Sequence, residues 1–196
     1  MVEGMRDEAL RRLEATLFLA REPLTSRKLA QHAQLEDGTE ARALVRVLNK
    51  RYEQEGRAFS VESIAGGFRL MTRPRFLPWL RRLDASTATP DRISSPMLET
   101  LAVIAYMQPA PRAEIEAIRG VNCGEILRQL LDRNLVRIEG RSQELGRPYL
   151  YSTTPRFLET FGLRKIEDLP SIRGPEKVAE TSGNDLLVRS RQAADE

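Results

Sequence analysis

Histidine and cysteine each occur once in the 196 residues, as His32 and Cys123, and this scarcity removes most metal and nucleophile chemistry at the outset. A His/Cys zinc cage needs three or four such donors. A Ser-His or Cys-His nucleophile pair needs a partner to spare for its base. One thiol forms no internal disulfide. Phosphate loops are missing too: Ala65-Gly66-Gly67 lies between two strand-like runs, and the stretch from Ile118 to Gly124 lacks the Lys-Ser/Thr ending of a P-loop. No apolar run approaches the roughly 18 residues of a membrane span. The start, MVEGMRDEALRRLEA, carries acidic residues where a signal peptide has its apolar core, so a cytoplasmic chain is expected. Catalytic residues, cofactor and metal are all expected to be none. His32 is expected to pack beside Leu29 and Leu35, and Cys123 to follow an Asn122 cap at a helix start.

The chain is 41% hydrophobic and 30% charged, ordinary for a globular protein with room for two small domains. Its net charge of +3 is unevenly placed. Residues 1–84 hold 16 Lys and Arg against 12 Asp and Glu, and residues 85–170 hold 11 of each. Any basic bias therefore belongs to the first half.

A helical period runs from Asp7 to Arg21, with Leu10, Leu13, Leu17 and Phe18 on one face. Pro23 ends it. Thr25 or Ser26 caps a short second helix through Ala33, and Gly38-Thr39 opens a third to about Glu55, with Ala41, Leu44, Val45, Leu48 and Tyr52 at spacings of three and four. FSVESI and FRLMT then read as strands joined by a tight turn whose glycines adopt positive φ. Three helices and a β-hairpin describe a winged helix.

The second half repeats the order. Ser94 or Ser95 with Pro96 starts a helix ending before Pro109 and Pro111, and its seven residues from Leu101 to Met107 are all apolar or aromatic. Such a helix is covered on several sides, by its own domain or by a partner. A short helix from Pro111 to Ile118 follows, then a third from Asn122 to Arg133. Strands are expected over Leu135–Glu139 and Pro148–Thr153, joined by the exposed loop Gly140–Arg147. A shift of 86 residues places Pro23 on Pro109 and Leu29 on Ile115, so the two helix turns coincide.

The fold expected is mainly α with small β-hairpins, as two tandem winged-helix domains. Their bounds are 1–84 and 94–170, with a linker at 85–93 and a disordered tail at 171–196. Between the copies, Arg75 to Leu83 reads as one amphipathic helix; Pro155 to Phe161 reads as a short packing helix and Ile166 to Leu169 as a final turn.

On these residues the chain resembles the segregation and condensation protein B (ScpB) family, a subunit of the bacterial SMC condensin. The pattern runs Leu98-Glu99-Thr100-Leu101-Ala102, Ile104-Ala105-Tyr106, Gln108-Pro109, Arg112-Ala113-Glu114-Ile115 and Ile118-Arg119-Gly120-Val121-Asn122. It continues through Gly146-Arg147-Pro148, Leu150-Tyr151, Thr153-Thr154, Phe157-Leu158-Glu159 and Phe161-Gly162-Leu163. The resemblance covers roughly Leu10 to Pro170. It departs at Met107, where the family usually has a lysine, and at Ala110-Pro111.

The resemblance implies a non-enzymatic homodimer, joined through the amino-terminal winged helices, that binds the kleisin subunit ScpA through the carboxy-terminal ones. The kleisin would link it indirectly to the SMC ATPase, in chromosome condensation and segregation during cell division, at the nucleoid. Candidate kleisin contacts are Ile104, Tyr106, Gln108, Arg112, Glu114, Arg119, Arg147, Tyr149 and Tyr151. At single positions plainer roles compete: Arg112 and Glu114 suit a helix start, Arg119-Gly120 a helix end, and Tyr106 and Gln108 the edge of a core.

The alternative is a winged-helix transcription regulator. A DNA-reading third helix carries basic and amide side chains into the major groove. In the second copy Glu125 and Asp132 offset Arg128 and Arg133. In the first, Arg42, Arg46 and Lys50 share a helical face beside Glu53 and Glu55, which reads as a solvated surface or a weak DNA contact.

Overall fold

A computed structural model of the chain describes residues 2–84 and 93–171. These residues form a mixed α/β structure with eight α-helices and two small antiparallel sheets. The first half comprises α1 (Val2–Leu19), α2 (Ser26–Ala33), α3 (Gly38–Gln54), β1 (Phe59–Ile64), β2 (Gly67–Thr72) and α4 (Leu77–Asp84). The second comprises α5 (Ser95–Met107), β3 (Ala110–Pro111), α6 (Arg112–Arg119), α7 (Gly124–Asp132), β4 (Val136–Arg141), β5 (Tyr149–Thr153) and α8 (Pro155–Phe161). Two 3-10 turns, Pro74–Phe76 and Ile166–Asp168, complete them. The linker expected at 85–93, apart from Ile93, and the tail beyond Ser171 lie outside the described residues.

Each half closes over its own apolar cluster. In the first, Leu10, Leu13 and Leu17 of α1 meet Leu29 and Ala33 of α2, Leu44 and Leu48 of α3, and Val61 of β1. The expected α1 stripe fails at its last member: Phe18 points to solvent with 73% of its surface exposed, because a residue directly after Leu17 stands about 100° further round the helix. Tyr52 is buried, and its hydroxyl donates to Glu14 Oε1 at 2.6 Å. Burial, followed by the bond to Glu14 and its negative charge, pushes the phenol well above its usual pKa.

Local sequence sets the helix starts. Thr25 Oγ1 accepts the Lys28 N–H, which decides between the two expected caps of α2. At α3 the cap is Asp37, one residue before the expected Gly38-Thr39 opening; its carboxylate accepts N–H bonds from Thr39 and Glu40 at 2.7 and 2.8 Å. Those bonds, the one from Glu40 foremost, hold its carboxyl below the usual range.

The β1–β2 turn differs from the expected pair of turn glycines. Positive φ falls on Ala65 (49°) and Gly66 (73°), whereas Gly67 is the first residue of β2. Gly67 serves close approach instead, because a Cβ there would lie 2.9 Å from the Leu24 carbonyl carbon and oxygen. Leu24 runs beside Phe68, exchanging N–H···O bonds of 3.0 and 2.8 Å. The region expected as one helix over Arg75–Leu83 breaks into a 3-10 turn and α4, and leaves Trp79 62% exposed.

The second cluster gathers Met97, Leu101 and Ile104 of α5, Ile115 of α6, Leu127 and Leu130 of α7, Val136 of β4 and Phe157 of α8. Its sheet has the order β3-β5-β4, with Ala110 opposite Tyr151 and Val136 opposite Thr153, and a bulge between Ile138 and Gly140. Strand β3 was expected as plain turn. The expected strands shift by one or two residues, and α7 starts at Gly124, where Asn122 Oδ1 caps the Gly124 N–H at 3.0 Å. The 86-residue shift that aligns the prolines also carries Leu24 onto Ala110, and each of the two pairs with its hairpin's second strand.

Candidate partner-binding site

Helix α5 shows how its apolar run is used. Met97, Leu101, Ile104 and Ala105 turn into the second core. Leu98, Ala102 and Tyr106 stand four apart, share another face, and remain exposed. Across from them stand Phe157 and Phe161 of α8, rings tilted with centroids 4.9 Å apart, and the segment Leu163–Pro170. Together these form an open groove of about 370 Å³. Tyr106 bounds one edge, its hydroxyl donating to the Pro170 carbonyl at 2.7 Å. Its walls are almost entirely carbon, and tyrosine is the only titratable type among them. Such a surface takes up apolar side chains, and its one phenol is engaged by the Pro170 carbonyl.

Of the nine residues expected to contact a partner, only Tyr106 lines this groove. Ile104 is completely buried in the core, so its side chain presents no surface. Gln108 is tied to β5, its Oε1 accepting the Thr153 N–H and hydroxyl at 2.6 and 2.7 Å. Arg119 donates to Thr100 Oγ1 at 3.1 Å and pairs with Glu99, fastening α6 to α5; it is more than a helix end. Arg112 Nε bonds Glu116 Oε1 at 2.7 Å, and the same oxygen accepts the Cys123 N–H at 2.8 Å. The Cys123 N–H first, and Arg112 next, hold the Glu116 carboxyl below its usual range, and Glu116 in turn raises Arg112. Glu116, absent from the sequence-based set, therefore joins α6 to the start of α7. Glu114, Arg147 and Tyr149 are exposed, Arg147 at φ 44° in the β4–β5 loop. The Arg141 guanidinium lies 4.3 Å from the Tyr149 ring centroid and donates to its hydroxyl at 2.8 Å. Tyr151 packs half-buried against the second core.

Leu98, Ala102 and Phe161 stand in the family pattern, but sequence reasoning placed neither them nor Leu169 among the partner contacts. The signal for the first two was the four-residue spacing with Tyr106, hidden in a run where nearly every position is apolar.

In the first half, Arg42 is engaged by Ser26 Oγ at 3.0 Å and Thr39 Oγ1 at 3.2 Å, while Arg46 and Lys50 are exposed. His32 is exposed, contrary to the packing expected beside Leu29 and Leu35, since that face of α2 turns outward. Cys123 is fully buried, with its sulfur 3.9 Å from Thr100 Oγ1. Among the described residues no group of three or more His, Cys, Asp or Glu side chains is arranged to hold a metal ion. None of the described helices is long and apolar enough to cross a membrane.

Residues 11–172 match the family model described as segregation and condensation complex subunit ScpB. The chain belongs to the ScpB family. Segregation and condensation protein B of Syntrophotalea carbinolica is 44% identical over 161 residues, covering 82% of this chain and 80% of that relative. The ScpB of Symbiobacterium thermophilum is 40% identical over 184 residues, covering 94% of this chain and 80% of its own. Among solved structures, a dimer of the ScpB N-terminal domain complexed with ScpA peptide is 28% identical, covers 38% of this chain and 93% of that one, and has a TM-score of 0.36. Both cores, the groove and the α5–α6 fastening lie within the stretch matched to ScpB, apart from the amino-terminal end of α1.

Proposed function

We propose that this ScpB-family chain is a non-enzymatic architectural subunit that dimerises and binds the kleisin ScpA, and that the α5–α8 groove receives an apolar segment of that partner. The observation that carries the reading is the exposed apolar face Leu98, Ala102 and Tyr106, opposed by Phe161 and left uncovered by its own half. Each half acts as a winged helix, 1–84 and 94–170. Through ScpA the subunit joins the SMC ATPase and supports chromosome condensation and segregation in the cytoplasm. The second copy in the dimer meets the first half, where Phe18, Phe59 and Leu70 line one shallow apolar depression, with exposed Leu19 and Trp79 as further contacts.

Titration calorimetry of the full chain with ScpA of the same organism tests the groove. Ala102→Arg places a charged side chain in it and is expected to weaken ScpA at least tenfold, about 1.4 kcal/mol. Unchanged circular dichroism shows that the fold persists. Undiminished affinity moves the partner surface to the exposed Glu114, Arg147 and Tyr149; no ScpA binding at micromolar concentration by the unaltered chain removes the subunit reading. Phe18→Asp is expected to shift the dimer toward monomer in analytical ultracentrifugation.

A second reading, direct DNA contact through α3, draws on exposed Arg46 and Lys50. A salt-dependent mobility shift lost in Arg46→Glu/Lys50→Glu supports it, and its absence at low salt rules it out.

A further inference from the structure

Two N–H groups at the β1–β2 turn have no acceptor within their own hairpin. The turn is a two-residue loop closed by the Ile64–Gly67 pair, with left-handed Ala65 and Gly66 at its tip. In that geometry the strand ladder uses the flanking residues, and both loop N–H groups point outward. Ala65 donates to the Leu163 carbonyl and Gly66 to the Arg164 carbonyl, each at 2.9 Å. Those carbonyls lie just past the left-handed Gly162 that caps α8, where the helix provides them no donor. Two orphan donors of the first half thus meet two orphan acceptors of the second. Beside them, Arg69 of β2 and Glu159 of α8 form an ion pair at 3.9 Å.

Leu163 belongs to both systems, because its carbonyl is held by the hairpin tip while its side chain lines the α5–α8 groove. We propose that the β1–β2 turn is a latch that holds the two halves in one arrangement and seats Leu163 in the groove wall, so that latch closure and groove occupancy stabilise each other. A left-handed alanine at the tip fits this role. An L-residue in the left-handed region is strained, and docking onto Leu163 offsets that strain. Coupling of this kind is reciprocal: whatever binds the groove tightens the latch by the same factor that the latch tightens its binding. The latch itself stands whether or not ScpA is the groove's ligand.

Amide hydrogen exchange by NMR on the full chain tests it with no ligand present. The Ala65 and Gly66 amides, at a hairpin tip where Ala65 is half-buried and Gly66 exposed, are expected to exchange at least tenfold more slowly than unstructured amides. Gly66→Ala puts a side chain into the left-handed region with nothing within 4 Å of its Cβ; the added strain at the tip should speed exchange at both amides and shift the Leu163 methyl resonances. Gly56→Ala is the control, since Gly56 has φ 63° and equally open space but lies away from the tip. It should strain the first half while leaving Leu163 unmoved. Unprotected Ala65 and Gly66 amides in the unaltered chain, or Leu163 shifts of equal size in both variants, would overturn the proposal.

Discussion

Asn49 offers the sharpest test of how the first half is built. It sits on α3 with its amide against β1, where Nδ2 donates to the Val61 carbonyl at 2.8 Å and Oδ1 accepts the Val61 N–H at 2.7 Å. In an antiparallel ladder a residue's N–H and C=O point to the same side. Val61 therefore turns both groups away from β2 and onto one side chain, while its own side chain fills the core. Asn49→Ala leaves two backbone groups unpaired. Each costs about 1–3 kcal/mol when fully buried. Asn49 is only half-buried, so water reaches the site, and the lower end applies to each, giving about 2 kcal/mol in all. Native-state exchange at the core amides Leu13 and Leu48 reads this as roughly thirtyfold faster opening. Asn49→Asp should lose at least as much at neutral pH, because a carboxylate then faces the Val61 carbonyl. It should recover on acidification, when the protonated carboxyl again has a hydrogen to donate to the Val61 carbonyl. A loss below about 0.5 kcal/mol for Asn49→Ala would refute the reasoning, since water would then replace the amide at no cost.

Two further outcomes follow from the second half. Ile104→Ala opens a cavity in a filled core and is expected to cost about 2–5 kcal/mol, measured by exchange at Leu127; a variant that loses ScpA binding at full stability would instead make Ile104 a contact residue. Glu116→Gln removes a carboxylate whose folded pKa lies below its usual value. Its stabilisation is present above the usual Glu range and is lost as pH falls through the folded value, so the variant's acid-unfolding curve should be shallower there.

Much of this was legible along the chain. Prolines and glycines marked the turns, β-branched and aromatic runs marked the hairpins, and Pro155 marked the start of α8, where the structure adds Thr154 Oγ1 capping the Phe157 N–H at 3.3 Å. Errors fell where a residue's role depends on a distant neighbour. Gly67 looked like a turn glycine because the approach of Leu24 is invisible in sequence. Arg119 does end α6, with Gly120 left-handed beyond it, but its second role stayed hidden because its partners, Glu99 and Thr100, lie about 20 residues earlier. Phe18 and His32 were placed inward although each stands about 100° round its helix from a buried neighbour, Leu17 and Ala33.

The sequence by itself determined the order of the main helices and hairpins, the repetition of helix-helix-helix-hairpin, the poverty of catalytic groups and the family. These are properties of local spacing and composition, set by residues within a few positions of one another. Only the tertiary structure decided which part of the apolar α5 run is core and which is groove, that Glu116 and Arg119 fasten helices, and that the first hairpin reaches Leu163. Each of these depends on which way a helix turns when it packs, and that is fixed by surfaces far apart in the chain meeting in space.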